Sequence, residues 1–152
     1  MKQYIGTKRI HAKPMTRGEY NEYRGWPIPA DESTADAGYL VCYSDGYESW
    51  SPKVVFEAAY RETDGLSFGL AIEAAKLGKR IARAGWNGKN QYVELGSEFQ
   101  YTTIASDIPR SVGVQHTDIG SAALVFVGTR GRQVGWLASQ ADMLADDWHI
   151  VE

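Results

Sequence analysis

Two short blocks of the sequence each place a tryptophan beside hydrogen-bonding side chains. The first, FGLAIEAAKLGKRIARAGWNGK at residues 68–89, ends on Trp86, Asn87 and Lys89. The second, WLASQADMLADDW, covers residues 136–148. An indole ring can stack on a flat ligand, and such stacking is worth roughly 1–3 kcal/mol per base in nucleic-acid proteins. Because neither block contains a nucleophile with its base, the pattern favours two halves of a binding pocket without chemistry.

Trp86 also has a plainer interpretation. A tryptophan beside a turn asparagine can be a core residue, and Gly85 and Gly88 give its ring no close side-chain neighbours in sequence. The spacing gives equal weight to a stacking ring and to a core ring. Both interpretations therefore stay open at this stage.

Several charged side chains can bind phosphate or ribose. Arg130 and Arg132 flank Gly131 and can grip a pair of phosphates, although arginines in a hairpin turn are more often simply solvated, by about two to one. The adjacent Asp146 and Asp147 can accept hydrogen bonds from ribose hydroxyls. Solubility explains these two carboxylates equally well.

The composition argues against several other functional classes. Charged residues make up 23% of the chain and the formal net charge is -3, so there is no basic excess to bind a nucleic acid polymer. Cys42 is the single cysteine, which suits a reducing compartment. No Walker sequence, GxGxxG, HExxH or paired CxxC occurs, and the three histidines are scattered. We therefore expect no metal, no cofactor and no nucleic-acid partner.

No apolar run approaches the roughly 20 residues that a membrane helix needs. The first ten residues, MKQYIGTKRI, lack the apolar centre of a signal peptide. We expect a soluble cytoplasmic protein without membrane contact.

Apolar periodicity and turn residues predict an α+β fold, with small antiparallel sheets and short packed helices in two modules. Linker composition at residues 62–65 places the boundary between a module of residues 1–64 and one of residues 65–152. The first module has the predicted order β-α-β-β-α. Its expected features are an edge strand stopped by Pro14, a helix from Arg17 to Arg24 with a Thr16–Glu19 capping box, a hairpin turning at Gly46, and a helix capped by Ser51 with Pro52 at its first position and Val54 and Val55 on its apolar face.

The second module is expected to form a hairpin whose mouth carries Trp86 and Asn87. Residues 96–120 give no reliable order, apart from a strand-like stretch at 101–104. The expected elements are, in chain order, a helix from Phe68 to Leu77 capped by Ser67 and stopped by Gly78, strands over 79–86 and 91–95, a buried strand over 122–127, a strand over 133–137, a short helix with a Ser139–Asp142 capping box, and a last strand over 148–151.

The two tryptophan blocks, together with AALVFVGTRGRQVGWLASQ, resemble the phage-encoded Thoeris anti-defence proteins of the second type. The resemblance covers residues 68–152. The first sixty residues, with the pattern GYLVCYSDGYESWSPKVVFEAAYR, resemble a separate small module that is fused to various phage proteins.

This resemblance implies a non-enzymatic sponge that acts in the infected bacterial host. Such a protein is a homotetramer with pockets between subunits, and it holds glycocyclic ADP-ribose signals intact so that the defence effector stays inactive. Some relatives also take cyclic dinucleotides at a separate site. By position, the resemblance gives stacking and edge-reading to Trp86 and Asn87, and further ligand contacts to Ser139, Gln140 and Asp142. Independently of the resemblance, two phosphates need donors, which backbone N–H groups and Arg83, Arg130 or Arg132 can supply. Lys89, Trp136 and Asp147 complete the predicted ligand-binding residues.

Two alternatives remain beside the sponge. The aromatic hairpin of the first module can dock another protein, which would make the chain an interaction module. Asp146 and Asp147 can assist hydrolysis of a glycosidic or phosphate-ester bond, which would make it an enzyme with many turnovers.

Overall fold

The computed structural model describes residues 1–103, 114–118 and 120–152. These residues form two compact units, residues 1–61 and residues 62–152. One unit contains a three-stranded sheet and the other contains a five-stranded sheet and a two-stranded sheet. The fold is therefore α+β, with small antiparallel sheets and short helices, as predicted. The predicted boundary at residue 64 lies a few residues after the observed division.

The first unit has the predicted order β-α-β-β-α. Its sheet has the strand order β1-β2-β3, so the strand that ends in Pro14 lies at an edge, where a missing N–H costs least. Thr16 caps the first helix and makes both bonds of the capping box with Glu19. The bounds are β1 (His11–Pro14), α1 (Arg17–Arg24), β2 (Gly38–Cys42), β3 (Glu48–Pro52) and α2 (Lys53–Ala59).

The start of α2 differs from the prediction. Ser51 belongs to β3 and pairs with Tyr39 of β2, because the strand runs into the helix without a loop. Pro52 is the residue before the helix and no side chain caps it. The predicted apolar face is also wrong, since Val54 and Val55 are 81% and 60% exposed.

The second unit brings the two tryptophan blocks together through its sheet. The strand order is β10-β4-β5-β8-β9 and every pair is antiparallel, so the strand from the first block lies beside the last strand of the chain. Arg83 is opposite Trp148 in this pairing. The bounds are α3 (Phe68–Lys76), β4 (Arg80–Arg83), β5 (Tyr92–Gly96), β6 (Phe99–Thr103), β7 (Val114–Asp118), β8 (Ala123–Gly128), β9 (Gly131–Val134), α4 (Gln140–Met143) and β10 (Trp148–Val151).

The core of this unit lies between α3 and the sheet. The helix presents small side chains to the sheet, and Trp148 is fully buried beneath it. Burying a large apolar side chain stabilises the fold by roughly 1.5–3 kcal/mol, so this tryptophan is a main anchor of the unit. The buried cluster consists of Leu66, Ala71, Ala74, Ala75, Ile81, Val93 and Trp148.

Several details of the second unit differ from the sequence predictions. Ser67 is the N-cap of α3 but its side chain makes no capping bond. The helix ends at Lys76, and Gly78 follows it with a φ of 79°. Strand β8 is less buried than its apolar run predicts, because only Val125 is fully covered. The strand predicted over 101–104 is β6, whose last residue is Thr103, and Ile104 lies outside the described residues.

A further difference is the length of β4, which ends at Arg83 instead of reaching Trp86. One further backbone bond follows the strand, since the backbone oxygen of Asp147 accepts the N–H of Ala84 at 3.1 Å. Its carboxylate oxygen Oδ2 accepts the N–H of Gly85 at 2.9 Å. The chain therefore turns here, and Trp86 is carried out of the sheet.

Candidate functional site

The Trp86 turn forms one wall of an open cavity. The cavity has a volume of about 270 Å³. Strand β8 contributes one ring, and the stretch from β9 to α4 contributes a second ring and a carboxylate. The lining residues are Trp86, Asn87, Gly88, Gln91, Phe126, Trp136 and Asp142.

Aromatic rings surround the half-buried Trp86 indole. Its centroid lies 5.5 Å from that of Phe126, 5.9 Å from that of Trp136 and 5.4 Å from that of Trp148. All three pairs meet edge to face, with interplanar angles of 74° to 75°. Such pairs are worth about 0.5–1.5 kcal/mol each beyond the area they bury. Trp86 therefore contacts the core and lines the cavity, so both interpretations drawn from the sequence describe part of its environment.

Asp142 fixes the position of the Trp86 ring. Its Oδ1 accepts the indole N–H of Trp86 at 3.1 Å and a guanidinium N–H of Arg83 at 2.9 Å. Its Oδ2 accepts the backbone N–H of Ser139 at 3.1 Å and the Ser139 hydroxyl at 2.7 Å. Burial raises the pKa of Asp142, but the hydrogen bonds from Ser139, Arg83 and Trp86 outweigh it and lower the pKa to about 2. The carboxylate is ionised at neutral pH and fully occupied by protein donors.

Arg83 is held between two carboxylates. Its Nε donates to Asp147 at 2.8 Å and its Nη1 donates to Asp142 at 2.9 Å. Hydrogen bonds to Asp147 and Asp142 raise the pKa of Arg83. The Arg83 hydrogen bond in turn lowers the pKa of Asp147, against the opposing effect of burial. The arginine therefore ties β4 to the segment after α4, and its charge is already compensated.

The predicted site residues fall into three groups. Trp86, Asn87, Trp136 and Asp142 line the cavity. Arg83, Ser139 and Asp147 lie behind this wall, where they hold Asp142 or the Trp86 turn. The predicted residues outside both groups are Lys89, Arg130, Arg132 and Gln140.

Arg132 illustrates the third group. It belongs to the edge strand β9, its side chain is 66% exposed, and its Nε lies 3.4 Å from a carboxylate oxygen of Glu94. Arg130 occupies the turn between β8 and β9 and is also exposed. Within the described part of the chain, neither arginine lines the Trp86 cavity.

A metal centre has no support from the described residues, since they contain no group of three or more His, Cys, Asp or Glu side chains that could hold an ion. Among the same residues, no helix is both long and apolar enough to cross a membrane.

Comparison with known proteins places this second unit in a family. Residues 66–151 match the Tad2-like family, described as the Thoeris anti-defense 2-like domain. The chain belongs to the Tad2-like family. It is also 37% identical over 87 residues to Thoeris anti-defense 2 of Bacillus phage SP01. That match covers 57% of this chain and 94% of the relative, so the Tad2-like unit corresponds to nearly the whole of the phage protein.

Sequence reasoning missed three contributors to the cavity of the Tad2-like unit. Phe126 was assigned only to a buried strand, but its ring is partly exposed and faces Trp86. Gly88 was assigned only to a turn, and Gln91 was assigned only to the start of a strand. The available signal was the spacing WNGKNQ, which puts the amide of Gln91 five residues after Trp86, on the same loop as Asn87.

Proposed function

We propose that the Tad2-like unit binds and sequesters cyclic nucleotide immune signals, chiefly glycocyclic ADP-ribose isomers, and leaves them chemically intact. Family membership supports an anti-Thoeris function for the chain. The observation that carries the finer proposal is the cavity itself, in which three aromatic rings stand beside the amides of Asn87 and Gln91. Rings that can stack and amides that can bond an edge suit a nucleobase.

The carboxylates near the cavity argue for binding over hydrolysis. A general acid or base works best when its pKa lies near the operating pH. Asp142 has a pKa of about 2, and both of its carboxylate oxygens accept hydrogen bonds from protein donors. The hydrogen bond from Arg83 also lowers the pKa of Asp147. Both carboxylates hold the wall of the cavity in place. Because their pKa values are lowered, neither is suited to carry a proton at neutral pH.

The size of the cavity favours a site completed by a second subunit. Pockets for drug-sized ligands usually measure about 300–1,000 Å³. A cavity of about 270 Å³ holds a base but leaves the rest of a cyclic ADP-ribose outside. We therefore propose a homotetramer in which a neighbouring copy contributes to each pocket and to phosphate binding. Cyclic dinucleotides are a second proposed ligand class, at a separate site.

Exposed apolar side chains beside the cavity support this assembly. Leu137 follows the cavity residue Trp136 and is 90% exposed. Leu144 follows the one-turn helix that carries Asp142 and is 79% exposed. Light scattering tests the proposal. If the wild type is a tetramer and Leu137→Asp dissociates it, the result supports this interface. If the wild type is a monomer, the result contradicts it.

Binding is tested by calorimetric titration of the full chain with a cyclic ADP-ribose isomer. A truncated chain of residues 62–152 is a suitable comparison, because the phage relative is nearly the length of this unit. We expect both chains to bind with equal affinity. If neither titration gives a saturable heat signal, the proposal is contradicted.

A second candidate function concerns the first unit, which lies outside the family match. It contains an open cavity of about 600 Å³ that includes Trp26 and Ile28, which are 49% and 45% exposed. Exposed apolar side chains in a concave surface often mark protein contacts. We propose that this unit docks another protein. This second candidate predicts loss of anti-defence activity on deletion of residues 1–61 with ligand binding retained. Sequestration by the Tad2-like unit alone predicts full activity of the truncated chain, and that result contradicts the docking role.

A further inference from the structure

Gln91 has an unused amide inside the cavity. The side chain lines the same cavity as Trp86 and Phe126 and is half buried. Within the described part of the chain, its amide has no hydrogen-bond partner. A primary amide that is partly removed from water gains most from a ligand that pairs both its donor and its acceptor.

The Gly88 backbone leaves room for this amide. A Cβ added to Gly88 would lie about 2.0 Å from the Cδ of Gln91, so the amide rests directly against the Gly88 backbone. A Cβ added to Gly128 would lie 2.8 Å from the Phe126 ring and 3.6 Å from Nε2 of Gln91. The missing side chain at Gly88 therefore leaves a notch that holds the Gln91 amide, and the missing side chain at Gly128 leaves room for the Phe126 ring beside it.

We propose that Gln91 is a specificity-determining residue that reads the amino and N7 edge of an adenine stacked in this cavity. The proposal rests on the proposed function, since it takes a cyclic adenine nucleotide as the ligand. A glutamine amide matches this edge with two bonds: its oxygen accepts from the 6-amino group and its nitrogen donates to N7. Hypoxanthine carries an oxygen in place of the amino group, so the amide oxygen loses its donor.

The test compares a cyclic ADP-ribose isomer with its hypoxanthine counterpart, by calorimetry on the full chain. The wild type should prefer the adenine form by roughly 10- to 100-fold, the range of one good bidentate pair. Gln91→Leu should reduce this preference to about threefold or less, because it weakens binding of the adenine form, which loses two bonds, more than binding of the hypoxanthine form, which loses one. The matched control is Gln133→Leu on the exposed strand β9, which should keep the wild-type preference.

Gly88→Ala provides a second variant that leaves Gln91 in the sequence. The added methyl meets the far end of the flexible Gln91 side chain, so it should displace the amide at little cost in stability. We expect the same loss of preference as in Gln91→Leu.

The outcomes separate this inference from the function on which it rests. If the wild type binds neither compound, the proposed function fails. If it binds both equally, or if Gln91→Leu keeps the preference, Gln91 does not read the base and the proposed function still stands. A preference lost in both cavity variants and kept in Gln133→Leu supports the assignment.

Discussion

The indole N–H of Trp86 donates a hydrogen bond of 3.1 Å to the carboxylate of Asp142, across 56 positions of the chain. The bond joins the turn after β4 to the one-turn helix α4. The ring is therefore fixed at both its edge and its face, because three aromatic neighbours pack against it. A prearranged ring reduces the ordering cost of binding a flat ligand.

Replacement of Trp86 should affect both binding and stability. Trp86→Ala should weaken ligand binding by roughly 1–3 kcal/mol. It should also lower the free energy of unfolding by about 3 kcal/mol, because the ring packs against the core. Trp86→Phe keeps a ring but loses the bond to Asp142. Its affinity and its free energy of unfolding should therefore lie between those of the wild type and Trp86→Ala. Calorimetry and urea unfolding measure both effects, and unchanged affinity in Trp86→Ala removes this ring from the site.

Arg83 should act on stability and leave phosphate recognition to other groups. Arg83→Met leaves Asp142 and Asp147 without their shared cation and should cost roughly 3 kcal/mol of unfolding free energy. The control Arg132→Met removes an exposed surface pair and should change stability by less than about 0.5 kcal/mol. Equal effects of the two variants in urea unfolding contradict the structural role of Arg83.

Ser139 should stabilise the second tryptophan block through its cap. Ser139→Ala removes the hydroxyl bond to Asp142 and the side-chain cap of α4, which should cost about 1 kcal/mol. Ser67 offers a matched control, because it is also an N-cap but makes no side-chain capping bond. Ser67→Ala should therefore be nearly neutral in thermal unfolding. A larger loss at Ser67 than at Ser139 contradicts the role given to the Asp142 contacts.

Asp142 should make stability depend on acidity in a defined range. Its pKa falls from an ordinary value of 3.8 to about 2 on folding, so the folded state favours the ionised carboxylate. This stabilisation is fully present above about pH 4 and is lost as the pH falls through about 2, with a total on the order of 2 kcal/mol. The difference in unfolding free energy between wild type and Asp142→Asn should therefore shrink from pH 5 to pH 2. A constant difference contradicts the prediction.

Local signals predicted most of the fold. The Thr16–Glu19 and Ser139–Asp142 capping boxes and the turn at Gly46 all act within a few residues, so sequence spacing was sufficient. The strand end at Arg83 was missed because the chain turns there on contacts with Asp147, which is 64 positions away. No local pattern can show such a contact.

The candidate site was predictable only in part, for the same reason. The tryptophan blocks identified Trp86 and Trp136, but Arg83 looked like a phosphate ligand until its two carboxylate partners were visible. Gln91 was missed because its position depends on the close packing of its amide against the Gly88 backbone. Charge compensation and close approach of backbone segments are properties of the folded chain.

We propose that the Tad2-like unit holds a cyclic ADP-ribose signal without altering it. The most direct measurement incubates the protein with the cyclic ADP-ribose isomer, removes unbound ligand, denatures the protein by heat and identifies the released molecule by mass spectrometry and chromatography. We expect the denatured protein to release the intact cyclic compound, at no more than one molecule per binding site. Release of a linear or hydrolysed product, accumulating beyond the amount of protein, would contradict it.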